Sequence, residues 1–377
     1  MPVVYRSNSD PDYMCLEKYL ESGAFGKLPD AWRHQAQQDL ESLNKFVQNL
    51  AANTPWISDE YIEQIMFSDI EIPTKFDSPF NFRIINNLVV RIKSAAKRVG
   101  LDVSKFPHFS SIPTRRVNAC AVNLPCSSKP FLLFDSQLLL YCHLFAKAFA
   151  RCLPVTNDGE MVSLSTDIKK VQNRVSNTPE VLEKLADVLN AYVTTDAPSN
   201  SKAYTLEREY VSMTAIIRDG MELFVVAHEF GHVYAGHLKD LLTGCRLPTS
   251  GLWKYSASHK QEHEADLIGL LLTLHAMNES GYDAGLSYIG VDLFFRSLDL
   301  AERYTHILNE GGEGGFESEE SESHPSNQSR RIFLDEAIEH IITPAEQLVA
   351  ARSIIHDYNL ITSYLLGEVI AKLPRRS

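Results

Sequence analysis

The chain has 377 residues, of which 44% are hydrophobic and 22% are charged. This composition is typical of a globular protein and argues against a disordered, collagen-like or membrane-embedded chain. The 36 basic and 48 acidic side chains give a net charge of −12, which argues against a general nucleic-acid binder and against an anionic membrane surface as a partner.

The N-terminus and the cysteine usage both predict a cytoplasmic protein. Residues 1–20 mix charged side chains with apolar ones and lack the apolar core of a secretory signal. The six cysteines are scattered and include no C-x-x-C pair, which fits a reducing compartment. The most apolar stretch, 131–150, is interrupted by polar and charged side chains, so we expect buried structure there and no membrane insertion.

Hydrophobic periodicity predicts helices in the first hundred residues. An apolar stripe from Trp32 to Leu50, preceded by a capping Asp30, predicts one helix. A second stripe from Ile85 to Val99 predicts another, which ends at Gly100. The basic side chains of the second helix suit either a phosphate-binding surface or a solvated face, and amphipathic helices normally show the latter.

The pattern changes between residues 113 and 135. Apolar runs at 117–122 and 131–134 flank a turn-rich loop and predict the two strands of a hairpin. Helical periodicity resumes at Leu138 and continues through the rest of the chain, with a last long helix opening at 343–346. The predicted fold class is therefore α+β, mainly α, with a small sheet.

One segment, residues 309–323, differs in composition from the rest of the chain. It contains six glutamates and four glycines but no lysine or arginine. Such a segment buries too little apolar surface to offset the entropy lost on ordering, so we predict a mobile acidic loop. A tolerated surface insertion is the simpler explanation, and an acidic docking segment or lid is the alternative.

The residues that carry chemistry begin with an H-E-x-x-H motif in the apolar stretch 223–238. On a helix, His228 and His232 lie one turn apart on the same face and can present ring nitrogens to one metal ion. Glu229 is displaced by about 100° around the helix axis, where it can take a proton from a water held by the metal. Chance gives on the order of 0.03 such matches in this chain, so we favour a metal site over histidines that serve only as polar core residues.

A catalytic zinc site needs a third protein ligand and an open fourth position. Glu262 and Asp266 lie one turn apart before the apolar helix predicted at 267–277. Glu262 can bind the ion, while Asp266 accepts the N–H of a liganding histidine. His259 and His263 are a rival pair with metal spacing, and acids at a helix start also occur as a solvated first turn.

A further histidine, His237, follows the motif at the wrong offset for H-E-x-x-H-x-x-G-x-x-H. That arrangement needs glycine and histidine where this chain has Ala235 and Leu238. We therefore expect His237 at the surface or behind a ligand at the helix end.

The pairing of HEFGH at 228–232 with EHEADLIG at 262–269 resembles the gluzincin metallopeptidases of the HtpX-like and CAAX-prenyl-protease type. The resemblance implies a zincin-like domain with one zinc ion per chain. It further implies that the zinc ligands are His228, His232 and Glu262, with Glu229 as general base and Asp266 behind a ligand.

Two shorter matches extend the resemblance. The stretch from His324 to Arg330 resembles the family's H-P-x-x-x-x-R element, which implies that these two residues lie near the substrate carbonyl and stabilise the oxyanion. The stretch Asn118, Ala119, Cys120 and Ala121 resembles the N-A-x-A strand beside the cleft, whose edge can pair with an extended peptide. The Lit-type phage-exclusion peptidases share the HEFGH core and are a neighbouring family.

These features predict a cytoplasmic, zinc-dependent endopeptidase that acts on a protein or peptide. We expect an α-helical region of unknown role at 1–110 and a zincin-like catalytic domain at 111–377. One alternative is a catalytically silent metal-binding regulatory protein on the same fold, and another is a trigger-activated toxin or phage-defence peptidase. The N-terminal region and the acidic loop are candidate surfaces for a regulatory partner.

Overall fold

The computed structural model describes residues 4–22, 45, 71–104, 106–112, 118–157, 162–238, 259–310 and 325–374. The helix predicted from Trp32 to Leu50 lies outside these residues except for Lys45, which is helical, and His324 also lies outside them. The acidic loop predicted at 309–323 is also outside them, except that its first two residues, Asn309 and Glu310, are the end of a helix. Among the described helices, none combines the length and apolar character needed to cross a membrane.

The described strands are short. They are β1 (Val4–Tyr5), β2 (Glu71–Ile72), β3 (His108–Ile112), β4 (Ala119–Val122), β5 (Phe131–Asp135), β6 (Val155–Asn157) and β7 (Val162–Leu164). Strands β3, β5 and β4 form a sheet in that order, with β3 parallel and β4 antiparallel to β5. The antiparallel pairing of β4 with β5 confirms the predicted hairpin, and β4 is one edge of the sheet formed by the described residues.

Helices make up most of the described chain. They are α1 (Pro11–Glu21), α2 (Pro79–Arg98), α3 (Ser136–Cys152), α4 (Ile168–Asn177), α5 (Glu180–Thr195), α6 (Val211–Tyr234), α7 (His259–Glu279), α8 (Ala284–Glu310), α9 (Asn327–Ile341) and α10 (Ala345–Lys372). The prediction of a mainly helical fold with a small sheet is therefore confirmed.

Helix α6 lies at the centre of the fold because it is apolar around most of its circumference. Its side chains from Met221 to His232 are all buried, and it packs against α3, α7 and α8. Its closest neighbour is α7, and the approach depends on Gly231, where an added Cβ would lie 2.9 Å from the carbonyl oxygen of Ala265. The two helices are thus close enough for their side chains to meet around one point.

Helix α2 packs against both α6 and α7. Its basic residues form ion pairs, with Arg91 2.8 Å from Asp219 on α6 and Arg98 2.9 Å from Glu279 on α7. Both cations therefore contact carboxylates of neighbouring helices, and the choice between a phosphate-binding surface and a solvated face stays a prediction.

Helix α1 is attached to the hairpin of β4 and β5 by two kinds of link. A disulfide joins Cys15 on α1 to Cys126 in the hairpin loop, and the Asp12 carboxylate accepts hydrogen bonds from the backbone and hydroxyl of Ser128. The two cysteines are 111 residues apart and belong to no motif. The disulfide corrects the prediction of a reducing compartment, which was made from scattered cysteines without a C-x-x-C pair. Cysteine usage therefore no longer supports that prediction.

Candidate metal centre

Three side chains from α6 and α7 converge on one point. The Nε2 atoms of His228 and His232 are 3.1 Å apart. The Oε2 atom of Glu262 lies 3.6 Å from Nε2 of His228, and its Oε1 atom lies 3.5 Å from Nε2 of His232. All three residues are buried, with Glu262 only 2% exposed. The i, i+4 spacing on α6 and the first turn of α7 therefore bring together the three predicted ligands.

The separations between these atoms match what a metal ion needs. For a tetrahedral ion with bonds of about 2.0–2.1 Å, neighbouring ligand atoms are about 3.3 Å apart. The nitrogens and oxygens of this cluster are separated by 3.1–3.6 Å, and all of them lie within 4.8 Å of one another. Among the described residues, this is the only group of three or more His, Cys, Asp or Glu side chains that could hold a metal ion.

Behind His228 lies a buried ion pair. The Nδ1 atom of His228 is 2.9 Å from the Asp266 carboxylate, which is 0% exposed. Arg330 donates to both oxygens of that carboxylate, at 2.8 and 2.5 Å, and its guanidinium lies 4.8 Å from the centre of the Phe295 ring. Asp266 thus lies behind a ligand, as the sequence predicts.

The charges of this ion pair shift the pKa values of Asp266 and His228. Burial raises the pKa of Asp266, but the guanidinium of Arg330 outweighs it and holds that pKa well below its usual range. Burial likewise lowers the pKa of His228, yet the Asp266 carboxylate raises it above the ordinary value. A proton or a metal ion on His228 is therefore stabilised by the carboxylate behind the ring.

Arg330 reaches the site from α9, which begins at Asn327 inside the predicted H-P-x-x-x-x-R element. Its guanidinium contacts the carboxylate behind His228 and lies 3.5 Å from Glu262. The structure therefore places Arg330 as a partner of Asp266, and its contribution to an oxyanion stays a prediction. The other half of that prediction, His324, lies outside the described residues.

Behind His232 lies a different arrangement. Its Nδ1 atom is 2.9 Å from Nδ1 of His237, and the Nε2 atom of His237 is 3.3 Å from the carboxylate of Glu264. Of the two positions expected for His237, the structure shows the one behind a ligand, because the ring is buried. Burial lowers the pKa of His232 to about 2, with the charge of His228 adding to the shift, and the ring stays in the neutral form that metals bind.

The predicted base, Glu229, lies beside the ligands and against strand β4. It is buried, and its carboxylate accepts a hydrogen bond from the backbone N–H of Ala121. Burial raises the pKa of Glu229 to about 7, with His228 opposing the shift and Glu262 adding to it. A carboxyl group with a pKa near neutral pH is suited to accepting and returning a proton.

Among the described strands β4 pairs only with β5, and its other side is turned towards Glu229. Asn118 precedes the strand, and its carbonyl accepts a hydrogen bond from Asp135 of β5, so the alternation of an antiparallel ladder directs the backbone groups of Ala119 and Ala121 away from β5. The hydrogen bond from Ala121 to Glu229 agrees with this direction. The predicted strand at 118–121 is thus confirmed from Ala119 onwards.

Among the described residues, His259 and His263 belong to no group of three or more side chains that could hold a metal ion. His263 lies on α7 one residue after Glu262, but its ring packs against Phe333, with 4.5 Å between the ring centres. His259 is the first residue of the same helix. The site therefore forms around Glu262.

The chain was compared with protein-family models, with curated proteins and with solved structures, and none of them matches it. The resemblance of its motifs to the gluzincin peptidases stays a prediction. The functional inference consequently depends on the geometry around α6, α7 and β4.

Proposed function

We propose that this chain is a zinc-dependent endopeptidase with a zincin-like catalytic domain. The observation that carries the proposal is the position of Glu229. A carboxylate with a pKa of about 7 lies between a cluster of His228, His232 and Glu262 and the unpaired side of an edge strand. Metal-assisted peptide hydrolysis needs a set of metal ligands, a proton acceptor and a place where the peptide binds, which here is the outer edge of β4.

Zinc is the metal that the donor set favours. Two neutral imidazoles and one carboxylate are the ligands of many catalytic zinc sites, which keep a fourth position for water or substrate. The ligand-atom separations of 3.1–3.6 Å fit zinc bond lengths. When bound, zinc would polarise a substrate carbonyl and make a water molecule more acidic.

The proton transfers are assigned to Glu229. Its carboxylate takes a proton from the attacking water and later returns it to the leaving amine, so that one residue acts first as base and then as acid. The pKa of about 7 suits both steps near neutral pH. The hydrogen bond from Ala121 holds the carboxylate beside the strand.

The substrate is proposed to bind as an added strand. The backbone groups of Ala119 and the carbonyl of Ala121 point away from β5 and can hydrogen-bond to an extended peptide, which then passes beside Glu229. Backbone pairing depends little on the side chains of the substrate. We therefore expect unfolded proteins and flexible segments to be cleaved more readily than compact domains.

The main alternative is a metal-binding protein without catalytic activity. It would need the same three ligands, but it would not need a carboxylate with a raised pKa beside the outer edge of β4. The presence of Glu229 at that place is what favours the enzyme. The trigger-activated peptidase stays a prediction, because most of the acidic loop lies outside the described residues.

The test compares the wild-type chain with Glu229→Gln. Each is loaded with zinc and incubated with casein and with a peptide mixture, and new termini are identified by mass spectrometry. We expect both chains to bind one zinc ion, while the variant cleaves about 10²–10⁴-fold more slowly because the base is lost. Glu209→Gln, an exposed change before α6, is the control and should cleave at the wild-type rate.

Two outcomes would contradict the proposal. Cleavage by Glu229→Gln at the wild-type rate would remove that residue from its assigned role. A wild-type chain that binds zinc but cleaves no protein or peptide would instead support the silent metal-binding alternative.

A further inference from the structure

The second metal ligand has a support that the sequence motifs do not assign. His237 lies just past the end of α6, and Glu264 lies on α7 between the ligand Glu262 and Asp266. Neither belongs to the H-E-x-x-H motif or to the three-ligand cluster. We infer that His237 and Glu264 are positioning residues that fix the ring orientation and the tautomer of His232 for zinc binding.

The first step of the argument is the turn that brings His237 back to the site. Helix α6 ends at Tyr234, and Gly236 adopts a left-handed φ of +75°, which residues with a Cβ rarely adopt. The backbone N–H of Gly236 donates to the carbonyl of Val233 and closes the helix end. This reversal of the chain lets the ring of His237 lie beside that of His232, with 5.1 Å between the ring centres.

The second step is the direction of each hydrogen bond. A neutral imidazole has one N–H and one acceptor nitrogen. Since Nε2 of His232 faces the other ligand atoms, its proton must be on Nδ1, which donates to Nδ1 of His237. His237 must then carry its own proton on Nε2, which donates to the Glu264 carboxylate. Only one assignment of protons satisfies all three groups.

The third step is the consequence for the metal. Partners behind a liganding histidine orient the ring and raise its basicity, and their loss typically lowers metal affinity about 10–100-fold. His237 is buried and reaches His232 at 2.9 Å, so it has the larger share of this effect. Glu264 is 51% exposed and 3.3 Å from His237, so its share is smaller.

The inference depends on the metal site of the proposed function but not on peptide cleavage. The experiment therefore measures zinc affinity of the full chain by competition with a chromogenic chelator. His237→Asn places an acceptor oxygen near the former Nδ1 position, whereas His237→Gln places its amide near the former Nε2 position. His237→Phe keeps the ring shape without either nitrogen.

We expect His237→Phe and His237→Gln to bind zinc about 10–100-fold more weakly than the wild type. His237→Asn should stay within about threefold of the wild type, because it keeps the acceptor for His232. His263→Phe, on the neighbouring helix and against Phe333, is the control and should not change the affinity. Thermal melting of the zinc-free proteins checks folding, and a positioning role predicts similar midpoints for the Asn and Gln variants.

Two results would overturn the inference. One is wild-type zinc affinity in His237→Phe, and the other is equal affinity of the Asn and Gln variants. If the Phe variant does not fold, the comparison of Asn with Gln decides. A wild-type chain that binds no zinc would contradict the proposed function itself. The same titration distinguishes that outcome, because it measures the wild type beside the variants.

Discussion

The two histidine ligands lie one turn apart on the same helix, yet the chain supports them in different ways. Behind His228 is a fully buried carboxylate held by Arg330. Behind His232 is a neutral ring, His237, whose far side reaches the half-exposed carboxylate of Glu264. One support is a buried ion pair and the other is a chain of hydrogen bonds that ends near solvent.

This difference predicts that the two supports contribute differently to folding and to metal binding. A buried ion pair that loses one partner leaves an uncompensated charge, so its disruption is costly even without metal. A neutral hydrogen-bond chain that is cut near solvent leaves no buried charge, so its disruption affects mainly the ligand it orients. We therefore expect changes at Asp266 to act on stability and changes at His237 to act on zinc affinity.

The largest effect is expected from Asp266→Ala. Removal of this carboxylate leaves the guanidinium of Arg330 buried and without its main partner, and we expect a loss of about 3–5 kcal/mol in the free energy of unfolding of the zinc-free protein. Urea unfolding at neutral pH measures the change. The double variant Asp266→Ala/Arg330→Met should regain part of the loss, and a double variant no more stable than the single one would contradict the ion-pair explanation.

The effect of Asp266 should also depend on pH with a defined sign. The pKa of its carboxyl is lower in the folded protein than in the unfolded chain, where it is about 3.9. Its contribution to stability is therefore present above about pH 4 and is lost as the pH falls through the folded value. Urea unfolding at several pH values should show the difference between wild type and Asp266→Ala shrinking below pH 4, and a constant difference would contradict the assignment.

An intermediate effect is expected from Arg330→Lys. Lysine keeps the positive charge but loses the planar fork that donates to both oxygens of Asp266. We expect a loss of about 1–3 kcal/mol in unfolding free energy, because one charge-assisted hydrogen bond is lost. Urea unfolding of the zinc-free protein checks it, and a variant as stable as the wild type would show that the bidentate contact is unimportant.

A smaller effect is expected from Gly236→Ala, on the side of His232. Alanine at a φ of +75° costs about 1 kcal/mol, and relief of this strain would move His237 away from His232. The variant should bind zinc more weakly than the wild type, while the melting temperature of its zinc-free form should change only slightly. Gly281→Ala has a similar φ of +85° outside the site and is the matched control, which should leave the zinc affinity unchanged.

The smallest effect is expected from Glu264→Gln. The side chain is half exposed, and glutamine still offers an oxygen to the N–H of His237. Zinc affinity by chelator competition should fall by no more than about threefold. A loss as large as that of His237→Phe would show that the charge of Glu264, and not its hydrogen bond, supports the ligand.

The parts of the site that could be predicted from sequence are those set by local periodicity. The i, i+4 spacing puts His228 and His232 on one face, and the same spacing relates Glu262 to Asp266. The apolar run at 117–122, followed by a turn-rich loop, predicted β4. In each case a single helix or strand determines which side chains lie together, so the local sequence is enough to predict the arrangement.

The rest depends on contacts between distant segments. Arg330 meets Asp266 across 64 residues, and Cys15 pairs with Cys126 across 111. Neither spacing is set by any single helix or strand. His237 is an intermediate case, because the sequence left open a place at the surface or behind a ligand, and the structure shows that the chain reverses at Gly236 and returns His237 to the site.

The most direct test of the central claim is anomalous diffraction at the zinc absorption edge from crystals grown with zinc. We predict one strong peak per chain, at about 2.0–2.1 Å from the Nε2 atoms of His228 and His232 and from the Glu262 carboxylate. A peak bound instead by His259 and His263, or the absence of any peak at the three predicted ligands, would contradict it.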